Sequence, residues 1–424
     1  MNPKKPAQTQ GKANQPIQAP PAAERRGVPR WLPSLLILLC TGVLFLILFF
    51  NAREGNIYNP SRLQSEFVTV EKAEVLNVSY DTVEPDPYSP DGVEKGNQRA
   101  LVRLSTGAFA GQTRELYYMI GYFVGPKLAP GDAITVLQLR DEETGALQEI
   151  TYFQYDRVGP VLLVLGLFVL AVVLVGGKTG LKSLLGLAVT VVALIWIFCP
   201  MWMKGSAPVP LAMGLCALVT VMSFVILGGT SKKILCAVLA TLAGVGLAAL
   251  FGALAQGLCR ITSFNLYDVN GEIADLVNLQ SRNYPVRIHG LLTVGILIAS
   301  LGAVMDVAMS LSSALAELKQ VNPELGCKAL WRSGMNIGRD MVGTMNIGRD
   351  MVGTMTNTLI LALVGSSLVT VIRLWAQGPT WRMLLTSGYF AVELISAVSS
   401  SIGVILAVPL AAGIGAAAFG TGNK

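Results

Sequence analysis

Two carboxylates lie inside long apolar stretches of the sequence, where ionised groups are costly. Asp306 occurs in LLTVGILIASLGAVMDVAMS, and Glu393 occurs in YFAVELISAVSSSIGVILAVPL. A carboxylate at the centre of a membrane-spanning helix costs roughly 2.5–3.5 kcal/mol on insertion scales, so such residues are usually functional. Both residues are therefore candidates for handling a proton, another cation or a small polar solute.

Asp306 follows a series of small residues at helical spacing. Gly295, Ala299 and Gly302 precede it by eleven, seven and four residues, which places all four on one face of a helix. This pattern predicts that a second helix approaches closely and shields the carboxylate from lipid. Under the predicted topology, Asp306 lies about a turn or two from the cytosolic end of its helix, and the alternative is that its side chain snorkels to the lipid headgroups there.

Glu393 precedes a stripe of small and polar residues. Ser396 and Ser400 follow it by three and seven residues, and small residues continue the same face. Such a stripe is typical either of a path for protons or small polar solutes or of a plain packing seam. Glu393 falls near the outer end of its predicted span and Asp306 near the inner end of its own. We therefore expect two separate stations rather than a carboxylate pair.

Further polar candidates lie where the seventh predicted span begins. Asn357 and Thr358 either cap this helix or bind a passing polar group. Arg349 and Asp350, immediately upstream, form a candidate cytosolic motif.

The composition explains how such residues can be positioned. Of the 424 residues, 52% are hydrophobic and 14% are charged, which is typical of a membrane protein. A helix needs about 20 mostly apolar residues to cross the hydrocarbon. The predicted fold is therefore an α-helical polytopic membrane bundle of about eight transmembrane helices. The predicted spans are 31–50, 158–176, 183–203, 208–228, 234–257, 288–312, 356–375 and 385–412.

The positive charges indicate how the chain is oriented. Lys and Arg are concentrated in the segments that share a side with the amino terminus, and cytoplasmic loops carry such an excess. We therefore predict that both termini lie in the cytoplasm and that residues 52–157 lie outside. The net charge of +6 then reflects membrane topology, so no nucleic-acid partner is expected.

The segments outside the bundle have distinct compositions. Several short runs within 52–157 alternate between apolar and polar residues and are separated by Pro, Gly and Asp. They predict a small all-β domain, an OB-like barrel, inserted between the first and second spans. The remaining predicted divisions are a disordered cytosolic tail at 1–30, a signal-anchor at 31–51, a seven-span domain at 158–412 with an outer loop at 258–287 and a cytosolic segment at 314–355, and a cytosolic tail at 413–424.

The sequence predicts neither a cofactor nor an enzyme. His289 is the only histidine, and none of the six cysteines lies in 52–157. A conventional multi-histidine metal centre is thereby excluded, and no nucleophile occurs together with a base. The expected partners are the lipid bilayer and an unknown small solute or ion. The alternative function, an envelope scaffold, adds a protein partner bound by the β domain.

Several phrases of the membrane half resemble the YibE/F family of bacterial integral membrane proteins. They are HGLLTVGILIASLGAVMDVAMSLSSALAEL, SGMNIGRDMVGTM followed by TNTLILALVG, and SSIGVILAVPL near the carboxyl terminus. The resemblance implies a multi-pass membrane protein for which transport is the natural hypothesis, and it implies no defined substrate. Its motif residues fall on Asp306, the repeated Arg-Asp pair, Asn357 and Thr358.

The phrase NIGRDMVGTM occurs twice in succession over residues 336–355, whereas the family pattern has it once. Ten helical residues advance a chain by about 15 Å and leave a net rotation of about 280°, so a second copy cannot extend a helix without redirecting it. One copy is therefore either a recent tandem duplication or sequence error that bulges into the cytosol, or part of a doubled functional site. Under the first hypothesis, Arg349 and Asp350 are the operative pair.

Removal of residues 336–345 tests these alternatives, because it restores a single copy. Under the duplication hypothesis, the shortened chain should reach the membrane in the same amount and melt at the same temperature as the parent. The control is deletion of ten residues from the tail at 1–30. Loss of folding or activity in the first variant alone would contradict the hypothesis.

Overall fold

A computed structural model describes residues 32–53, 68–87, 93–121, 125, 127–141, 144–261, 285–342 and 352–420. It contains an antiparallel β domain followed by a helical bundle. The predicted tail at 1–30, most of the predicted outer loop at 258–287, and both Arg349 and Asp350 lie outside the described residues.

The β domain is a single curled antiparallel sheet. Its strands are β1 (Val68–Asp81), β2 (Glu84–Pro85), β3 (Glu94–Leu104), β4 (Thr113–Ile120), β5 (Ala133–Arg140) and β6 (Leu147–Tyr155). Hydrogen-bonded neighbours in the sheet follow the order β2-β3-β1-β5-β6, and β4 lies off this path and pairs with β3. The long strand β1 therefore pairs with both β3 and β5. The sheet curls until β4 approaches β6, where the Tyr118 and Tyr152 rings lie 4.3 Å apart between centroids.

The alternation expected from the sequence produces the core of this domain. Along β4, alternate residues are buried and the others are exposed. The inward residues form one apolar cluster that is separate from the helical core. Its buried members are Ala73, Val75, Ala100, Val102, Leu104, Leu116, Tyr118, Ile120, Leu128, Ile134, Val136 and Ile150.

An ion pair lies where the β domain joins the first long helix after it. The Lys72 amine lies 2.9 Å from the Asp156 carboxylate, and that carboxylate also accepts a hydrogen bond from the backbone N–H of Val158. These donors stabilise the ionised form and hold the pKa of Asp156 below its ordinary value. The carboxylate thus ties β1 to the first turn of the helix.

The helical part has eleven α-helices within the described residues. They are α1 (Leu32–Arg53), α2 (Val158–Val192), α3 (Cys199–Met203), α4 (Pro208–Gly228), α5 (Lys232–Leu258), α6 (Leu291–Val321), α7 (Cys327–Val342), α8 (Val352–Ser366), α9 (Leu368–Ala376), α10 (Trp381–Thr386) and α11 (Gly388–Gly420). A π-helical turn, Ala193–Phe198, joins α2 to α3.

Within the part of the chain that the structure describes, six helices are long and apolar enough to cross a membrane. One of them, Val158–Met203, covers two of the spans predicted from the sequence. Gly177 interrupts it with φ 53° and ψ −135°, a conformation that glycine adopts readily. The seventh predicted span is instead divided between α8 and α9. The count of eight spans therefore remains a prediction.

Three helices, α5, α6 and α11, pack closely at the centre of the bundle. A Cβ added to Gly403 of α11 would lie 2.6 Å from the Cβ of Ala248 on α5, and one added to Gly244 would lie 2.9 Å from Val304 on α6. Glycine lets the helix backbones approach at these points. The same contacts fix the directions: α11 runs antiparallel to α5 and parallel to α6.

Contacts at both ends of α1 attach it to the bundle. At its start, the Ser34 hydroxyl lies 2.9 Å from that of Thr230, in the turn between α4 and α5. At its end, the Lys204 amine donates to the backbone carbonyl of Asn51. The β domain, which follows α1 in the chain, therefore emerges at the same end of the bundle as Lys204.

Replacing Gly403 with alanine tests the close approach of the central helices. The new Cβ would overlap Ala248, so we expect a destabilisation of about 1–3 kcal/mol, seen as a lower melting temperature in detergent. Gly413→Ala is the matched control, because a Cβ there meets nothing within 4 Å. Equal melting temperatures for the two variants would show that the helices do not meet as described.

Candidate functional site

Glu393 lies in the second turn of α11, beside a pocket between α11 and the α8–α9 pair. The side chain is half-buried. The pocket has a volume of about 120 Å³ and is lined mainly by apolar groups, including Ile360 and Val364 of α8 and Val371 of α9. Ser367, at the break between α8 and α9, also lines it. The carboxylate is therefore placed where little else is polar.

Three consecutive serines follow Glu393 along α11. Ser399, Ser400 and Ser401 are all buried, and their hydroxyl groups have no hydrogen-bond partner among the described residues. Thr241 of α5 is fully buried and likewise has an unpartnered hydroxyl. Leaving a buried hydroxyl unpaired costs about 1–3 kcal/mol, so such groups usually bind a water molecule or a ligand.

Helical geometry places Ser399, Ser400 and Thr241 within about 60° of the contacting glycines Gly403 and Gly244, along one seam, the interface of α5, α6 and α11. Ser401 is rotated by about 160° from Gly403 and lies off this seam. The Ser399 hydroxyl oxygen lies 3.5 Å from the position that a Cβ on Gly252 would occupy. One turn farther along α5, the Gln256 amide donates to the Thr293 hydroxyl of α6 at 2.9 Å. Because α5 and α11 are antiparallel, Ser396 lies at about the level of Gln256.

This seam is narrow in the structure. A Cβ on Gly252 would lie 2.5 Å from Cδ1 of Ile296, so the Ile296 side chain fills the space beside Ser399. The seam is thus a line of polar groups closed by an apolar side chain.

Asp306 lies on α6 but outside the seam. Its side chain is exposed, and it has no hydrogen-bond or ion-pair partner among the described residues. The small residues of its face are also open, because a Cβ on Gly295 or Gly302 would meet nothing within 4 Å. No described helix packs closely on this face, since Gly302 borders a cavity, in contrast to the close approach expected from the sequence.

The position of Asp306 along its helix also differs from the expected one. Helix α6 continues to Val321, so Asp306 lies fifteen residues, or about 22 Å, before its end. Through the contact of Val304 with Gly244, Asp306 is level with residue 242 of α5. That is ten residues, or about 15 Å, from the start of α5 at Lys232.

The two carboxylates lie far apart. Val304 and Ala407 both contact Gly244, and α6 and α11 run in the same direction. Asp306 is two residues after Val304, and Glu393 is fourteen before Ala407. The separation of 2 + 14 = 16 residues corresponds to about 24 Å along the bundle. This separation excludes direct contact between the two carboxylates.

The remaining sequence candidates are less informative. Ser396 is half-buried on the same helix as Glu393, whereas Asn357 and Thr358 are exposed near the start of α8. No group of three or more His, Cys, Asp and Glu side chains that could hold a metal ion occurs in the described part of the chain.

Several seam residues were not recognised from the sequence. In the sequence, Gln256, Thr293 and Thr241 are isolated polar residues that form no helical pattern. Ser399–Ser401 form a visible triplet, but only Ser400 shares the helical face of Glu393. The interior glycines of α5 and α11 mark where these two helices meet, but only the register between the helices shows which glycines face each other.

Together, these features define a membrane protein in which a polytopic helical bundle carries a separate β domain. The chain belongs to the YibE/F-like protein family, whose model matches residues 164–346 and 344–421. The two matched segments meet inside the ten-residue repeat, where a tandem insertion would divide the match. No match was found among curated proteins or solved structures.

Proposed function

We propose that the protein is a permease that moves a proton, another cation or a small polar solute along the seam of α5, α6 and α11. Glu393 serves as the station near the β-domain end of this path, and Asp306, on a face of α6 outside the seam, serves as a separate station toward the other end. The unpartnered hydroxyls of Ser399 and Ser400 carry the proposal, because they supply oxygen ligands inside an otherwise apolar core. Ile296 closes the path in this conformation.

A break between two helices beside Glu393 supports the same proposal. Helix α8 ends at Ser366 and α9 begins at Leu368, and residues of both line the pocket at Glu393. Discontinuous helices within a bundle are typical of secondary transporters, because they can rearrange around a substrate.

The membrane topology belongs to the proposal. We propose a bacterial plasma-membrane location with both termini cytoplasmic, eight spans and residues 52–157 outside. The junction at Gly177 supports two spans in Val158–Met203, since a Cβ on Gly180 would overlap the carbonyl of Val172 and the chain must bend sharply there. The strand order and the approach of β4 to β6 support an OB-like barrel.

Flux measurements in proteoliposomes test the permease. The flux is driven by an imposed gradient of H⁺, Na⁺ or K⁺. Glu393→Gln, Asp306→Asn and the double variant should each lower it at least tenfold, because a neutral amide cannot balance the positive charge of the transported cation. Ser400→Val should also lower it, since it removes an oxygen from the seam. Glu317→Gln, an exposed acid on α6, is the control. Unchanged flux in the double variant would contradict the proposal.

An alternative function is an envelope scaffold that binds a protein partner through the β domain. One observation favours it: Tyr80, Arg99 and Tyr117 are neighbours across β1, β3 and β4, and their side chains are exposed on the outer face. Met119, two residues after Tyr117, is 59% exposed and extends the patch. Exposed Tyr, Arg and Met are enriched at protein interfaces.

The scaffold function predicts that the β domain works without the seam. Residues 52–157 tethered to a foreign membrane anchor should restore the phenotype of a deletion strain, and Tyr80→Ser/Tyr117→Ser should abolish that rescue by removing the aromatic contacts. Glu393→Gln in the full chain should leave the phenotype intact. Failure of the tethered domain alongside loss of function in Glu393→Gln would instead favour the permease.

A further inference from the structure

A lateral cavity opens between α2, α4 and α6, on the opposite side of α6 from the contacts with α5. Its volume is about 240 Å³, and its lining includes Leu187 of α2, Leu215 and Cys216 of α4, and Leu301 and Gly302 of α6. Thr190 also lines it, but its hydroxyl donates to the backbone carbonyl of Gly186 at 2.9 Å. The wall therefore presents almost no free polar group to an occupant.

Asp306 is adjacent to this cavity along α6, although it is not one of the lining residues. It follows the lining residue Met305 directly and lies one helical turn beyond the lining residue Gly302, rotated from it by about 40°. Residue 302 has no side chain, and a Cβ there would meet nothing within 4 Å, so the helix surface between the cavity and Asp306 is open at this position. An apolar cavity thus lies next to a carboxylate that has no partner among the described residues.

We propose that this is a binding site for an amphiphilic cation, such as an alkylamine or quaternary ammonium compound. The aliphatic part occupies the cavity between α2, α4 and α6, and the cationic head lies against the Asp306 carboxylate. Two other kinds of occupant would each use only one of the two features, the apolar wall or the carboxylate. A small hydrated ion gains nothing from the apolar wall, and a neutral lipid chain gains nothing from the charge, which is costly to leave unpaired at this depth.

The proposed function treats Asp306 as a station, and the present inference names the class of ligand that binds there. To that extent the inference rests on the proposed function. The site differs from the seam in its helices, its lining and its opening to the side of the bundle. Binding at this site can therefore be measured without any flux.

Saturable binding of octyltrimethylammonium to the full-length protein in lipid nanodiscs tests the inference, with empty nanodiscs as the blank. We expect Asp306→Asn to weaken binding at least tenfold, because it removes the charge with little change in shape. Gly302→Leu should weaken it similarly by filling the cavity mouth. Two matched controls should bind as the parent does: Gly295→Leu, which adds bulk on the same open face outside the cavity, and Glu317→Gln.

The outcomes separate this site from the permease. Parental affinity in Asp306→Asn, or equal competition by octanol, would overturn the inference, provided that the variant melts as the parent does. Loss of flux in Glu393→Gln with unchanged octyltrimethylammonium binding would support both proposals as independent. If binding depends on Asp306 but the protein carries no ion flux, the binding site stands and the permease function is contradicted.

Discussion

The close approach of α5, α6 and α11 is the constraint on which the rest of the helical structure depends. Gly244, Gly252 and Gly403 lack side chains at the crossing points, and the space is filled by Val304, Ile296 and Ala248 from neighbouring helices. Lipid provides no hydrophobic drive between helices, so packing of this kind must hold them together. The fixed register then places Ser399–Ser401 in the core and Glu393 near one end.

This packing separates Asp306 and Glu393 by environment as well as by distance. Glu393 is half-buried at one end of a line of hydroxyls, close to the break between α8 and α9. Asp306 faces away from that line and adjoins an apolar cavity. The Glu393 and Asp306 carboxylates therefore have different neighbouring groups. Those neighbours determine which proton, cation or solute each carboxylate can bind.

The β domain depends less on the bundle, because it has a complete apolar core of its own. Its attachment is local: α1 enters from one side, and the Lys72–Asp156 pair fixes the start of α2 on the other. An ion pair that is partly exposed contributes little to stability, so its effect is chiefly on orientation. The aromatic row of Tyr80 and Tyr117 remains free on the outer surface.

The sequence by itself determined the apolar helical segments, the β domain before the bundle, and the positions of the two carboxylates in the chain, because hydropathy and alternation are local properties that burial follows. It also indicated the family and the separation of Asp306 from Glu393. Only the tertiary structure decided which helices meet. The open face of Asp306, the seam containing Gln256 and Thr241, and the division of the seventh predicted span between α8 and α9 depend on contacts between segments distant in the chain, which no local pattern encodes.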